Sequence, residues 1–116
     1  MEISKVIVDK MYSSDKFSKW LGIEILDVSQ GYCKLKMKVR DEMTNGFGIA
    51  HGGVCFSIAD TALAFAANSH NLKSLSIETS ISLIKKINCG DIIIAETNEI
   101  SRGSIFDLDY CYETSD

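Results

Sequence analysis

Residues 51–70 read HGGVCFSIADTALAFAANSH, and no other stretch restricts the fold of this chain as tightly. A helix on a protein surface carries an apolar stripe and a charged back. This stretch has no charged back. Val54, Phe56, Ile58, Ala59, Ala62, Leu63, Phe65 and Ala66 point in nearly every direction around a helix axis. Ser57, Thr61 and the polar exit NSHN are its other hydrophilic members, apart from one carboxylate, Asp60. The pattern predicts a helix that opens at Ala50 or His51 and runs to about Asn68. It must be covered on most sides, by a sheet of its own chain and by a second chain.

The rest of the chain supplies the sheet. Ile3, Val6, Ile7, Lys10 and Met11 have the spacing of a short amphipathic helix. Asp15 is placed to cap a second short helix and Gly22 to stop it. In IEILDVSQGYCKLKMKVRDE, Ile23 and Ile25 share a face with Cys33, Leu35, Met37 and Val39 across a Gln-Gly turn, the signature of a β-hairpin. Strand-like runs follow at 75–84, 91–101 and 104–112, the last two reading as a second hairpin. One long helix between antiparallel strands implies an α+β domain whose sheet wraps that helix. At 116 residues the chain has the length of one domain, taken as 1–116.

Composition narrows the function classes. Hydrophobic residues make up 46% and charged residues 24%, as in ordinary globular proteins. A net charge of −4 argues against a nucleic-acid surface, which needs a concentrated basic face. No apolar run is long enough to span a membrane. The N-terminal MEISKVIVDK mixes charges into what would be the apolar core of a signal peptide, so a cytoplasmic location is expected. Cys33, Cys55, Cys89 and Cys111 form no CxxC pair, which speaks against a zinc site or a disulfide framework. They read as buried free thiols, with Cys55 on the central segment where it could line a pocket.

The chemistry concentrates on the central helix. A buried carboxylate is costly. Asp60 therefore either bonds a neighbouring hydroxyl or amide within the core, or sits in a cleft as nucleophile or general base. The preceding Gly52 and Gly53 leave helix N-terminal amides unobstructed, the form of an oxyanion hole; a plain tight turn is the alternative. Gly52 and Asp60 are eight residues apart, about 12 Å along one helix axis. A reacting carbonyl must lie about 3 Å from both donor and attacking group. Two antiparallel copies can satisfy both demands; one helix cannot easily do so. A catalytic Asp60 thus requires at least a two-fold dimer with sites at the interface.

The segment NGFGIAHGGVCFSIADTALAFAANS resembles the signature of the hotdog-fold thioesterases, in their phenylacetate-degradation (PaaI-like) branch. MYSSDKFSKWLGIEIL and GDIIIAETNEISRG are similar to the family's N-terminal approach and later strand pair, so the resemblance spans essentially the whole chain. It implies a hotdog fold and hydrolysis of an acyl-coenzyme A thioester, with an aryl-acetyl or related acyl group. By position, Asp60 matches the family's catalytic acid and Gly52 its oxyanion donor. Asn45 and His51 match loop positions that shape the pocket and place the thioester or water. Ser76, in LSIE, matches a residue of the same pocket. Gly53 is carried with Gly52 as substrate-binding, and Lys85, Lys86 and Arg102 lie where the family binds the nucleotide. Each has a plainer alternative: a helix cap for His51, a turn for Asn45, a strand hydroxyl for Ser76, solvated charge for the cations.

No metal is implied, and no cofactor beyond the coenzyme A of the substrate. A thiolate leaves without much acid assistance, so a base or nucleophile plus an oxyanion hole suffices. The resemblance implies a homodimer, with dimers pairing into tetramers. The family pattern continues past CYETSD to one more strand, so a sheet lacking that last strand is expected here. The competing readings are a non-catalytic acyl-CoA-binding hotdog protein, a hotdog dehydratase and a purely structural domain.

Overall fold

The computed structural model describes residues 2–69, 87–101 and 105–114. Two short helices, α1 (Ile3–Ser13) and α2 (Lys16–Leu21), lead into a hairpin of β1 (Glu24–Ser29) and β2 (Tyr32–Lys38). A 3-10 turn at Asp41–Met43 precedes the long helix α3 (Gly52–Asn68). A second hairpin follows, β3 (Ile92–Ser101) and β4 (Ile105–Thr114). The four strands form one antiparallel sheet in the order β1-β2-β3-β4. The strand expected at 75–84 lies outside the described residues.

The first hairpin closes as its sequence requires. Ser29 pairs with Tyr32, leaving Gln30 and Gly31 as a two-residue turn. Gly31 has φ 75°, open to glycine without strain. Along β2 the side chains alternate: Cys33, Leu35 and Met37 are buried, while Lys34, Lys36 and Lys38 lie on the other face. Their register partners on β3, Thr97, Ala95 and Ile93, are buried too. An irregularity between Ile25 and Asp27 shifts the phase of β1. Ile23 and Val28 therefore both face inward although they differ in parity, and Leu26 is left exposed.

On this surface α3 lays Val54, Ile58, Ala62, Phe65 and Ala66, which join the strand residues in one core. Removing a side chain the size of Ile58 or Phe65 from water contributes roughly 1.5–3 kcal/mol. No helix among the described residues is long and apolar enough to cross a membrane.

The N-terminal helix forms where expected but turns a different face inward. Ile3 and Val6 are 59% and 47% exposed, whereas Ser4 and Val8 are buried and Met11 and Tyr12 pack on the core. Polar anchors set this rotation. The Ser4 hydroxyl donates to the Ser69 carbonyl at the end of α3 (3.1 Å). The Tyr12 hydroxyl donates to the Ile23 carbonyl, and its ring packs on Phe65. These bonds, together with Val8, Met11 and Tyr12 packed on the core, hold α1 in this orientation.

Helix α2 has the expected ends: the Asp15 carboxylate accepts from the Ser18 amide, and Gly22 closes it in the left-handed region at φ 76°.

Two of the three cysteines whose side chains are described, Cys33 and Cys55, are buried and outside any disulfide. Cys89 is exposed, contrary to expectation, because it sits in the tight turn where the Asn88 amide and Gly90 serve the loop rather than the core.

Candidate active site

The site is organised by the start of α3. His51 is its N-cap, extended at φ −60° and ψ 138°, and its Nδ1 accepts the Gly53 N–H at 2.9 Å. The accepting nitrogen bears no proton, so the neutral ring carries its proton on Nε2. The Val54 amide donates to the His51 carbonyl (2.9 Å). Gly52, the first helical residue, is the remaining donor: nothing among the described residues accepts from its N–H. Of the two glycine amides expected to face a ligand, one is thus taken by the cap and one is free. A Cβ at Gly53 would stand 3.1 Å from His51 Nδ1, so glycine gives the cap its room.

The loop before the helix is a small hairpin. Thr44 bridges Ala50, and the Asn45 amide donates to the Ile49 carbonyl (2.8 Å). Asn45 Oδ1 accepts from the Phe47 amide (2.9 Å), and the Asn45 carbonyl accepts from Gly48, whose φ is 78°. Here Asn45 builds the turn itself. Hydrogen bonds from His51 to the Met43 carbonyl (2.8 Å) and from Ala50 to the Ile87 carbonyl (2.6 Å) anchor the loop's end and aim the helix start.

Asp60 is half-buried, not enclosed, and among the described residues its carboxylate has no hydrogen bond or ion pair. The described strands pack on one side of α3. Phe56, Asp60, Leu63, Ala64 and Ala67, at helical spacing, form a second side that is only half-buried. In one chain, then, the carboxylate does not bear the full penalty of burial.

At the next residue the helix is bolted down. Thr61 Oγ1 lies 3.1 Å from Ser18 Oγ, which also donates to Asp15 Oδ2 at 2.7 Å. This buried relay ties α2 to α3.

Between α2 and the start of α3 lies an open groove of about 310 Å³ that sequence reasoning missed. His51, Gly53, Val54 and Ser57 line it from α3, and Phe17, Trp20 and Leu21 from α2. Its signal was present in KFSKW, two aromatics three apart on a helix whose other face docks through Ser18 and Leu21. Among the described residues, no three His, Cys, Asp or Glu side chains gather where they could hold a metal ion. Ser76, Lys85, Lys86 and Arg102 lie outside the described residues.

Comparison with known proteins gives the family. The pattern of the thioesterase superfamily matches residues 47–105. A protein of Archaeoglobus fulgidus, named provisionally as an esterase, is 40% identical over 98 residues; the match covers 84% of this chain and 64% of that protein. The chain therefore spans just under two thirds of that relative's length. The acyl-coenzyme A thioesterase PaaI of Escherichia coli K12 is 33% identical over 102 residues, covering 85% of this chain and 73% of PaaI. The solved structure of the E. coli PaaI protein, from the phenylacetic acid degradation operon, superposes with a TM-score of 0.84 at 33% identity. That superposition covers 86% of this chain and 72% of that one. The chain belongs to the thioesterase superfamily and has its hotdog fold.

Proposed function

We propose that this protein hydrolyses acyl-coenzyme A thioesters, aryl-acetyl or related, at sites shared between two copies of the chain. The observation that carries the reading is the pairing, on one helix, of an N-terminal amide at Gly52 and a half-buried carboxylate at Asp60, neither of which has a hydrogen-bond partner among the described residues. The kinship with PaaI supports the same reaction class.

In this reading the thioester carbonyl oxygen sits on the Gly52 N–H, where the helix dipole favours the negative charge that develops. Asp60 of a second, antiparallel copy reaches the carbonyl carbon from the other side. It either attacks directly or takes a proton from water as the water attacks. The tetrahedral intermediate collapses by breaking the C–S bond, and coenzyme A departs as thiolate; after direct attack, water then hydrolyses the mixed anhydride left on Asp60 and frees the acid. The half-buried strip of Phe56, Leu63, Ala64 and Ala67 flanking Asp60 is apolar surface of the kind a second copy would cover. His51 and Asn45 shape the loop that aims the amide, and Lys85, Lys86 and Arg102 are assigned to the phosphates of coenzyme A. The reaction needs no metal, and the protein acts in the cytoplasm.

The test is thiol release from phenylacetyl-CoA by the wild type, Asp60→Asn and Asp60→Ala. Wild-type turnover should fall by a factor of about 10²–10⁴ in both variants. Equal release by all three proteins would remove Asp60 from the mechanism. Thioesters that raise the melting temperature without releasing thiol would make the protein a binder instead.

A further inference from the structure

The groove beside the start of α3 has a use in this chemistry. Its floor is the buried Leu21, Met43 and Val54, and its rim the exposed Phe17 and Trp20. Those two rings lie nearly parallel, with centroids 6.2 Å apart and an angle of 11°. The Arg40 guanidinium rests 4.9 Å from the centre of the Trp20 ring and is paired with Glu42 at 2.9 Å. The rim is thus held in place from outside, while the Asp15–Ser18–Thr61 relay holds its helix from inside.

We propose that Phe17 and Trp20 form the acyl-selecting wall of the site, and that the groove takes an acyl group ending in a single aromatic ring. The proposal rests on the hydrolysis reading for the place of the carbonyl, and three observations lead from there. The groove is lined by His51 and Gly53, the two neighbours of the Gly52 amide that would hold the carbonyl oxygen, so it opens beside the place of that carbonyl's substituent. Its volume of about 310 Å³ is at the small end of ligand sites, suited to one ring rather than a long chain. Its charge disfavours the nucleotide end of the substrate: Glu42 lines it, and the neighbouring Arg40 is already engaged by Glu42 and Trp20. Trp20 is flanked by Phe17 and Arg40, so the rim offers a ligand the outer face of Phe17 and the ring edges, and an aromatic ring meets these edge-to-face or offset as an alkyl chain does not.

Trp20 is the chain's only tryptophan, so its emission reports on this wall alone. The probe is the ketone analogue of phenylacetyl-CoA in which a methylene replaces the thioester sulfur, with free coenzyme A as control. The expected result is a saturable change in Trp20 emission with the ketone and none with free coenzyme A, and a dissociation constant weakened about tenfold in Phe17→Leu. In turnover, Phe17→Leu and Trp20→Leu should each lower the ratio of kcat/KM for phenylacetyl-CoA over acetyl-CoA about tenfold. Both side chains are at least half-exposed, so these variants should keep the wild-type melting temperature. An emission change that free coenzyme A reproduces, no change with the ketone, or an unaltered substrate ratio would overturn the proposal. A wild type that hydrolyses neither ester yet shows the ketone response would overturn the hydrolysis reading and leave the aromatic wall standing.

Discussion

Ser18 Oγ and Thr61 Oγ1 meet at 3.1 Å in the interior, and through them the N-cap of α2 is joined to the middle of α3, one residue beyond Asp60. This contact fixes the helix that bears Phe17 and Trp20 against the helix that bears the candidate catalytic groups. Removing either hydroxyl leaves a buried polar group short of a partner. Ser18→Ala strands both Thr61 and one oxygen of Asp15, whereas Thr61→Val leaves the Ser18–Asp15 bond intact. Urea denaturation should show a loss of about 1–3 kcal/mol for Ser18→Ala and about 1 kcal/mol for Thr61→Val. The reverse order would mean that the relay does not join the helices as described.

The Gly52 amide can be deleted without dismantling its helix. Proline is accepted at the first helical position, where its missing N–H has no intrahelical partner. His51 already has the extended conformation that a residue before proline needs, at φ −60° and ψ 138°. Gly52→Pro should therefore lower thioester turnover by a factor of about 10²–10³. Far-ultraviolet circular dichroism and the melting temperature should stay close to wild type. Full activity in a folded Gly52→Pro protein would reassign the oxyanion donor.

His51 contributes to stability through one ring nitrogen. His51→Ala deletes the acceptor for the Gly53 N–H and should cost about 1 kcal/mol in chemical denaturation. His51→Asn keeps a side-chain acceptor suited to a cap and should recover most of that loss. If both variants were equally unstable, the ring would be packing rather than capping.

Alkaline conditions should weaken the fold. Burial, with the Asp27 charge nearby, pushes the Cys33 thiol from 9.0 up to about 12. Burial also raises Tyr12, with Asp15 and Glu24 adding to it. Tyr32 is raised in the same direction by burial and by its hydrogen bond to Glu96. Each group holds its proton more tightly folded than unfolded. The stability this confers is whole below pH 9.0 and drains away as the pH climbs toward about 12. Urea midpoints measured at about pH 7.5 and about pH 10.5 should fall with pH, and Cys33→Ala should fall less steeply. A midpoint constant across that range would contradict the shifts.

The helix from His51, both hairpins and both caps of α2 were legible because each depends on local chemistry. An N-cap needs only an acceptor two or three residues ahead, and a hairpin only alternation around a turn. The PaaI-like signature was legible for the same reason, since it is one continuous segment. What stayed hidden depends on surfaces meeting from distant parts of the chain. Spacing marked Ile3 and Val6 for the interior, but a hydroxyl at Ser4 and a carbonyl at Ser69, 65 residues apart, turned α1 the other way. The same contest decided Gly53, whose amide went to His51, and Asn45, whose side chain went to its own turn. The pattern of apolar residues determined which segments fold and roughly which chemistry they carry. Only packing decided which donor stays free, which side of α3 faces outward and where an aromatic groove opens, because each buried polar group must find a partner and the nearest one in space is seldom the nearest in sequence.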